Sequence, residues 1–131
     1  MKSCLAQHIL VEYNQCEITL MNAGENFMKT LIEAVKDSGA TYVNHLFHAF
    51  QPHGLSGIIL IAESHVAFHT WPEHRYVAMD IFTCNETMNW KLIRDRMAIF
   101  LGAKIVEKKI FERGKSIEQS NLSMINRMPL P

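Results

Sequence analysis

IAESHVAFHTWPEHRYVAMDIFTC, residues 61–84, organises the reading of this chain. Residues 65–70 are rich in β-branched and aromatic side chains and read as a strand. Trp71-Pro72-Glu73 breaks it, because proline fixes φ and has no N–H to give a ladder. Residues 76–83 (YVAMDIFT) form the next strand. Upstream, residues 55–62 carry a continuous apolar run and read as a further strand, entered through the Gln51-Pro52-His53-Gly54 turn.

Working outward, 41–50 (TYVNHLFHAF) and 7–13 (QHILVEY) read as strands, and 104–112 as a final one. Asn22 to Ser38 has helical spacing, with Phe27, Met28, Leu31, Ile32 and Val35 on one face and Gly39 as the stop. Thr87 to Leu101 repeats the pattern with Trp90, Ile93, Met97, Phe100 and Leu101, ended by Gly102. The order β-α-β-β-β-β-α-β predicts an α+β fold, a two-layer αβ sandwich with a largely antiparallel sheet and two helices on one face. Residues 1–114 read as the domain, and 115–131 as a loosely ordered or docked C-terminal tail.

The composition narrows the function classes. At 131 residues, 48% hydrophobic and 20% charged, the chain is an ordinary single-domain globule. Its formal net charge is zero, which argues against nucleic acid or a membrane surface as partner. The three cysteines, Cys4, Cys16 and Cys84, are odd in number and lack a CxxC pair, so a reducing cytoplasm is expected. The N-terminus lacks a secretory h-region, and the run Ile58–Ala62 is too short to span a bilayer.

Read residue by residue, much of the 61–84 stretch has an ordinary explanation. Ser64 after Glu63 fits a turn, and no GxSxG elbow surrounds it. His69 fits a hydrogen-bonded strand residue, Ser56 a turn hydroxyl, Cys84 a small buried hydrophobe, Glu73 a solvated turn acid and Phe50 core packing. His65 and His69 are four apart, but in a strand that spacing separates them by about 13 Å. That distance, and the unhelical His45/His48 pair, predict no metal site.

The joint pattern changes the weighing. ESH at 63–65, HTWPE at 69–73, FTC at 82–84, FHAFQPHGLSG at 47–57, SGAT at 38–41, KS near the start and ERG at 112–114 together resemble the small prokaryotic S-adenosylmethionine decarboxylases, over about residues 2–114. The resemblance implies that Ser64 attacks the Glu63 carbonyl, that the ester eliminates, and that position 64 becomes a pyruvoyl group, the cofactor the chain makes for itself. It implies cleavage into a β chain, 1–63, and an α chain, 64–131, and a Schiff base between the ketone and the substrate amine. It assigns Ser56 and His69 to processing and Cys84 to proton donation, for which a thiol with a reference pKa of about 8.5 is still protonated near neutrality. It places Glu73 on the ribose and Phe50 on the adenine of a nucleoside, with Trp71 and Val66 lining the same pocket through their backbones. It implies a homodimer of cleaved protomers with sites near the interface, and a structural role for His8.

Three departures from that family pattern stand out: His74-Arg75-Tyr76 where a glycine is usual, Cys84-Asn85 for CG, and Ala6-Gln7-His8 for GRH. Arg75 is a long cation close to Glu73, able to pair with it, compete with a sulfonium or bind a carboxylate. The expected function is decarboxylation of S-adenosylmethionine for spermidine synthesis. The alternatives are decarboxylation of arginine or ornithine by the same chemistry, and an uncut, catalytically silent interaction module.

Overall fold

A computed structural model of the chain describes residues 4–115. Six strands form one antiparallel sheet: β1 (Cys4–Asn14), β2 (Tyr42–Ala49), β3 (Leu55–Ile61), β4 (Ser64–Trp71), β5 (Tyr76–Thr83) and β6 (Ile105–Lys115), in the order β2-β3-β4-β5-β1-β6. Among the described residues three helices accompany them: α1 (Ile18–Met21), α2 (Gly24–Asp37) and α3 (Trp90–Leu101). A 3-10 turn, Pro72–His74, joins β4 to β5.

Strict alternation explains how the layers form. In β4, Val66, Phe68 and Thr70 are buried; in β5, Val77, Met79, Ile81 and Thr83; in β1, Ile9, Val11 and Tyr13. These side chains meet Phe27, Met28, Leu31, Ala34 and Val35 of α2 and Ile93, Met97 and Leu101 of α3, in one continuous core on one face of the sheet. Phe27 packs tilted against Phe68, ring centroids 4.5 Å apart, and meets Phe100 edge-on at 5.9 Å. Full burial of Phe27 and of Phe68 contributes about 1.5–3 kcal/mol each. The predicted α+β sandwich, with helices on one face of an antiparallel sheet, is the observed architecture.

The elements differ from expectation in places with local causes. The helix expected from Asn22 begins at Gly24, since Asn22 instead closes the separate turn α1. The helix expected from Thr87 begins at Trp90. Asn85 Oδ1 accepts from the Thr87 N–H and hydroxyl at 2.8 and 2.7 Å and locks a turn there, and Asn89 caps α3 by accepting from the Leu92 N–H. Ile32, Trp90 and Phe100 are only half-buried, and Ala34 is a buried α2 residue outside the expected stripe. Strand β4 runs through Trp71, one residue into the expected break. Strand β6 continues past residue 112 to Lys115, so the expected tail starts within a strand; its remainder lies outside the described residues.

Gly102 ends α3 at φ 60°, where a Cβ would stand 2.9 Å from Glu17 Cγ. Gly57 is a close approach of another kind: a Cβ there would meet the Phe68 ring at 2.7 Å.

The other face of the sheet has no helix over it among the described residues. It presents Leu46, Ile58 and Leu60, 73%, 42% and 50% exposed, beside Ser56, Ala67 and His69. Apolar residues placed contiguously on an open sheet face form a patch of the kind that marks interaction sites.

Candidate active site

Two clusters of the expected residues form at opposite ends of β4. At its end, Ser56 of β3 pairs with His69 of β4, and the Ser56 hydroxyl lies 2.7 Å from His69 Nδ1. The Pro52–Gly54 turn and the Pro72–His74 turn then close a cleft of ≈ 280 Å³ lined by Phe50, His53, Gly54, Ser56, His69, Thr70, Trp71, Pro72 and Glu73. Phe50 is half-exposed, which removes the core-packing reading for its ring. Trp71 stacks on Tyr76 at 5.4 Å and lies 6.0 Å from His69, so aromatic rings line one wall. Small-molecule sites usually exceed about 300 Å³, and this cleft is open, so it has the size of part of a site.

Glu73 carries the charge in this cleft. Its carboxylate lies 2.7 Å from His53 Nε2. Its own backbone N–H first, and then His53, hold its carboxyl below the usual carboxylate range, so it is an anion at neutral pH. Nothing in the sequence marks His53, which sits in an ordinary turn; only the folded approach of residues 53 and 73 reveals it. Arg75, the departure closest to Glu73, turns away. Its Nε donates to the Cys16 carbonyl at 2.9 Å, and its guanidinium pairs with Glu17 at 3.7 Å. At φ 52° it occupies a left-handed position, which glycine adopts most readily.

At the start of β4, Glu63, Ser64, His65 and Cys84 come together. The Cys84 N–H donates to the Glu63 carbonyl oxygen at 3.2 Å. Thr41 holds the Glu63 carboxylate through its N–H at 2.9 Å and its hydroxyl at 3.2 Å, and the first of these lowers the Glu63 pKa most. The SGAT segment thus has a physical role at the junction. Its Ser38 ends α2 by bonding Val35, and its Thr41 pins the residue before Ser64. Ser64 itself has φ 156°, a value that costs an L-residue of order 1–3 kcal/mol and persists only where its surroundings impose it. Ser64 Oγ lies 3.3 Å from His65 Nδ1.

Cys84 is exposed, so the reading as a small buried hydrophobe does not hold. Asn85, another departure, locks the turn after Cys84 and helps lower the Glu63 pKa. Val66 is fully buried under the helices and does not line the cleft. His8 lies on the open side against Phe82, 3.7 Å from Asp80.

Strand geometry separates the two clusters. His69 is five residues beyond Ser64 on the same strand, a span of about 16 Å at ~3.3 Å per residue. Within one chain His69 therefore cannot reach Ser64. The structure brings Ser56, His69, Phe50, Trp71 and Glu73 together, and separately Glu63, Ser64 and Cys84.

Residues 7–114 match the sequence profile of the family described as S-adenosylmethionine decarboxylase. Proteins described as S-adenosylmethionine decarboxylase proenzymes are similar across most of the chain. The one from Thermosipho melanesiensis is 45% identical over 92 residues, 70% of each chain; that from Thermotoga petrophila is 39% identical over 116 residues, 88% of each. The one from Aquifex aeolicus is 33% identical over 128 residues, 98% of this chain and 95% of its own. The crystal structure of the adenosylmethionine decarboxylase of Aquifex aeolicus superposes with a TM-score of 0.80 at 32% identity, covering 92% of this chain and 99% of that one.

Proposed function

This chain belongs to the S-adenosylmethionine decarboxylase family, and we propose from that premise that it cuts itself at Glu63–Ser64 and decarboxylates S-adenosylmethionine, for use in spermidine synthesis, with a pyruvoyl group derived from Ser64. The observation that carries the reading is the Glu63–Ser64 junction: a serine at φ 156° beside a carbonyl already held by the Cys84 N–H. Backbone strain and a preplaced oxyanion donor are what an uphill N-to-O acyl shift requires. The residues at the junction therefore fit a group made from Ser64.

A pyruvoyl group supplies a ketone that captures the substrate amine and draws in the electrons released as CO₂ leaves. The chain's own residues do the rest. Glu73, an anion held by His53, accepts hydrogen bonds from the ribose hydroxyls, and the exposed Phe50 ring stacks on adenine. The exposed Cys84 thiol returns a proton to the substrate carbon. Ser56 and His69, 2.7 Å apart, assist elimination of the ester. Because Arg75 is engaged with Cys16 and Glu17, it neither neutralises Glu73 nor stands ready for an amino-acid carboxylate. That supports the nucleoside over arginine or ornithine.

Both halves of the site work together only across two copies. We infer a homodimer in which the open sheet faces pack, related by a two-fold axis running across the strands. That axis sets the Ser64 end of one β4 against the partner's cleft, and covers Leu46, Ile58 and Leu60. Stacked sheets lie ~10 Å apart, so residues about 16 Å apart along one strand come within reach across the interface.

The test is intact mass followed by an assay. Fragments 1–63 and 64–131, the second blocked by a ketone, with labelled CO₂ released from S-adenosylmethionine, are expected. Release from arginine or ornithine alone would overturn the substrate, and a single band of full-length protein would overturn the processing.

A further inference from the structure

His65, and not the distant His69, is the side chain next to Ser64. We propose that His65 is the general base of the first processing step, acting within its own chain, and that His69 serves only the later elimination. The proposal rests on the self-processing reading above.

The geometry is local and specific. His65 Nδ1 lies 3.3 Å from Ser64 Oγ, slightly beyond the reach usual for a working base and of the kind that tightens as the reaction begins. The ring is held in place by stacking on Phe82, with centroids 5.5 Å apart and planes 13° from parallel. His8 meets the same Phe82 edge-on, and Arg113 lies over it at 5.5 Å. The charged and titratable groups facing His65 are thus His8 with its Asp80, and Arg113 across the phenyl ring. Burial, then His8, lower the His65 pKa, opposed by Asp80. The imidazole is therefore neutral at physiological pH, and with its proton on Nε2 it can accept at Nδ1.

The step balances without a co-reactant. Ser64 Oγ forms a bond to the Glu63 carbonyl carbon as its proton passes to His65 Nδ1. The Cys84 N–H, already 3.2 Å from that carbonyl oxygen, stabilises the charge that develops on it. The Glu63–Ser64 C–N bond then breaks, and the imidazolium returns the proton to the departing Ser64 nitrogen. The product is an ester with a free amine. Everything this step needs comes from Glu63, Ser64, His65 and Cys84 of one chain.

The experiment refolds full-length protein from denaturant and follows ester and cleavage with time. Hydroxylamine cuts the ester and leaves a Glu63 hydroxamate, while the amide resists. Expected results are that His65→Asn and His65→Ala stay full-length and hydroxylamine-resistant, with ester formation slowed ~10²–10⁴-fold. His69→Ala should accumulate hydroxylamine-labile ester. Added imidazole should restore cleavage to His65→Ala. For the wild type, the rate of ester formation should be flat above the His65 pKa and fall tenfold per pH unit below it, the fall beginning below the ordinary imidazole value of about 6.5. Normal cleavage or ester accumulation in the His65 variants, or a wild-type profile without that acid limb, would overturn this proposal alone. A wild type that never cleaves would instead overturn the function on which it rests.

Discussion

Mixing two inactive variants gives the sharpest test of how the site is assembled. Ser64→Ala cannot make the ester, and His69→Ala cannot complete elimination, so each homodimer should stay uncut. With roughly 16 Å between residues 64 and 69 along β4, the proposed homodimer draws the Ser64 of each site from one chain and the His69 from the other. In a mixed dimer, one site then combines both lesions and is inert. The other joins Ser64 of the His69→Ala chain to His69 of the Ser64→Ala chain and is wild type. With equal amounts and random pairing, about half of the His69→Ala chains and none of the Ser64→Ala chains should be cut. Distinct tags identify the chains by mass after co-expression or after unfolding and refolding together. A site built within one chain predicts no cutting under any mixing, because every chain then carries its own lesion. Mixed dimers recovered through both tags with every His69→Ala chain intact would refute the two-chain assembly.

Other consequences are more local. Cys84→Ala should still cleave, since the Cys84 backbone N–H that holds the Glu63 carbonyl remains, but its kcat should fall ~10²–10⁴-fold on loss of the proton donor; steady-state kinetics on fully processed protein check this. His53→Ala should raise KM for S-adenosylmethionine more than it lowers kcat, because Glu73 loses the partner at 2.7 Å that orients it. The Glu73 pKa lies below its unbonded value, so binding that needs the anion is present at neutral pH and is lost only in acid; removing His53 should move that loss to higher pH, as read from KM against pH. Gly57→Ala should destabilise the fold by about 1–3 kcal/mol, because its Cβ would fall 2.7 Å from a Phe68 ring that is fully buried, and thermal denaturation of the uncut Ser64→Ala background measures it.

The layers are legible in the sequence because each strand and helix announces its buried face. The alternation in YVAMDIFT gives β5 outright, and the helical spacing of Phe27, Leu31 and Val35 gives α2. Helix starts are less legible, since Asn85 and Asn89 each offer a capping side chain and only the chain path decides which one begins α3. The site residues are legible by type, through the ESH and HTWPE motifs, but their grouping is not. A motif places Ser64 and His69 five positions apart and invites the picture of neighbours. In a helix that spacing would leave them close; in a strand each residue adds ~3.3 Å and the pair is driven apart. The pairing partner that matters for His69 is Ser56, thirteen residues upstream and directly opposite in the β3–β4 register. Pairing across strands is set by where the intervening turn falls, and no spacing rule within a motif contains it. The same reasoning explains His53, which nothing in a Gln-Pro-His-Gly turn marks until the Pro72–His74 turn delivers Glu73 beside it. His65 follows the same logic. Read in sequence, it is only the residue after Ser64. Placed on the strand, it is the one imidazole within hydrogen-bonding distance of Ser64 Oγ among the described residues, and the apolar open face beside it is where the proposed second chain would bring the other.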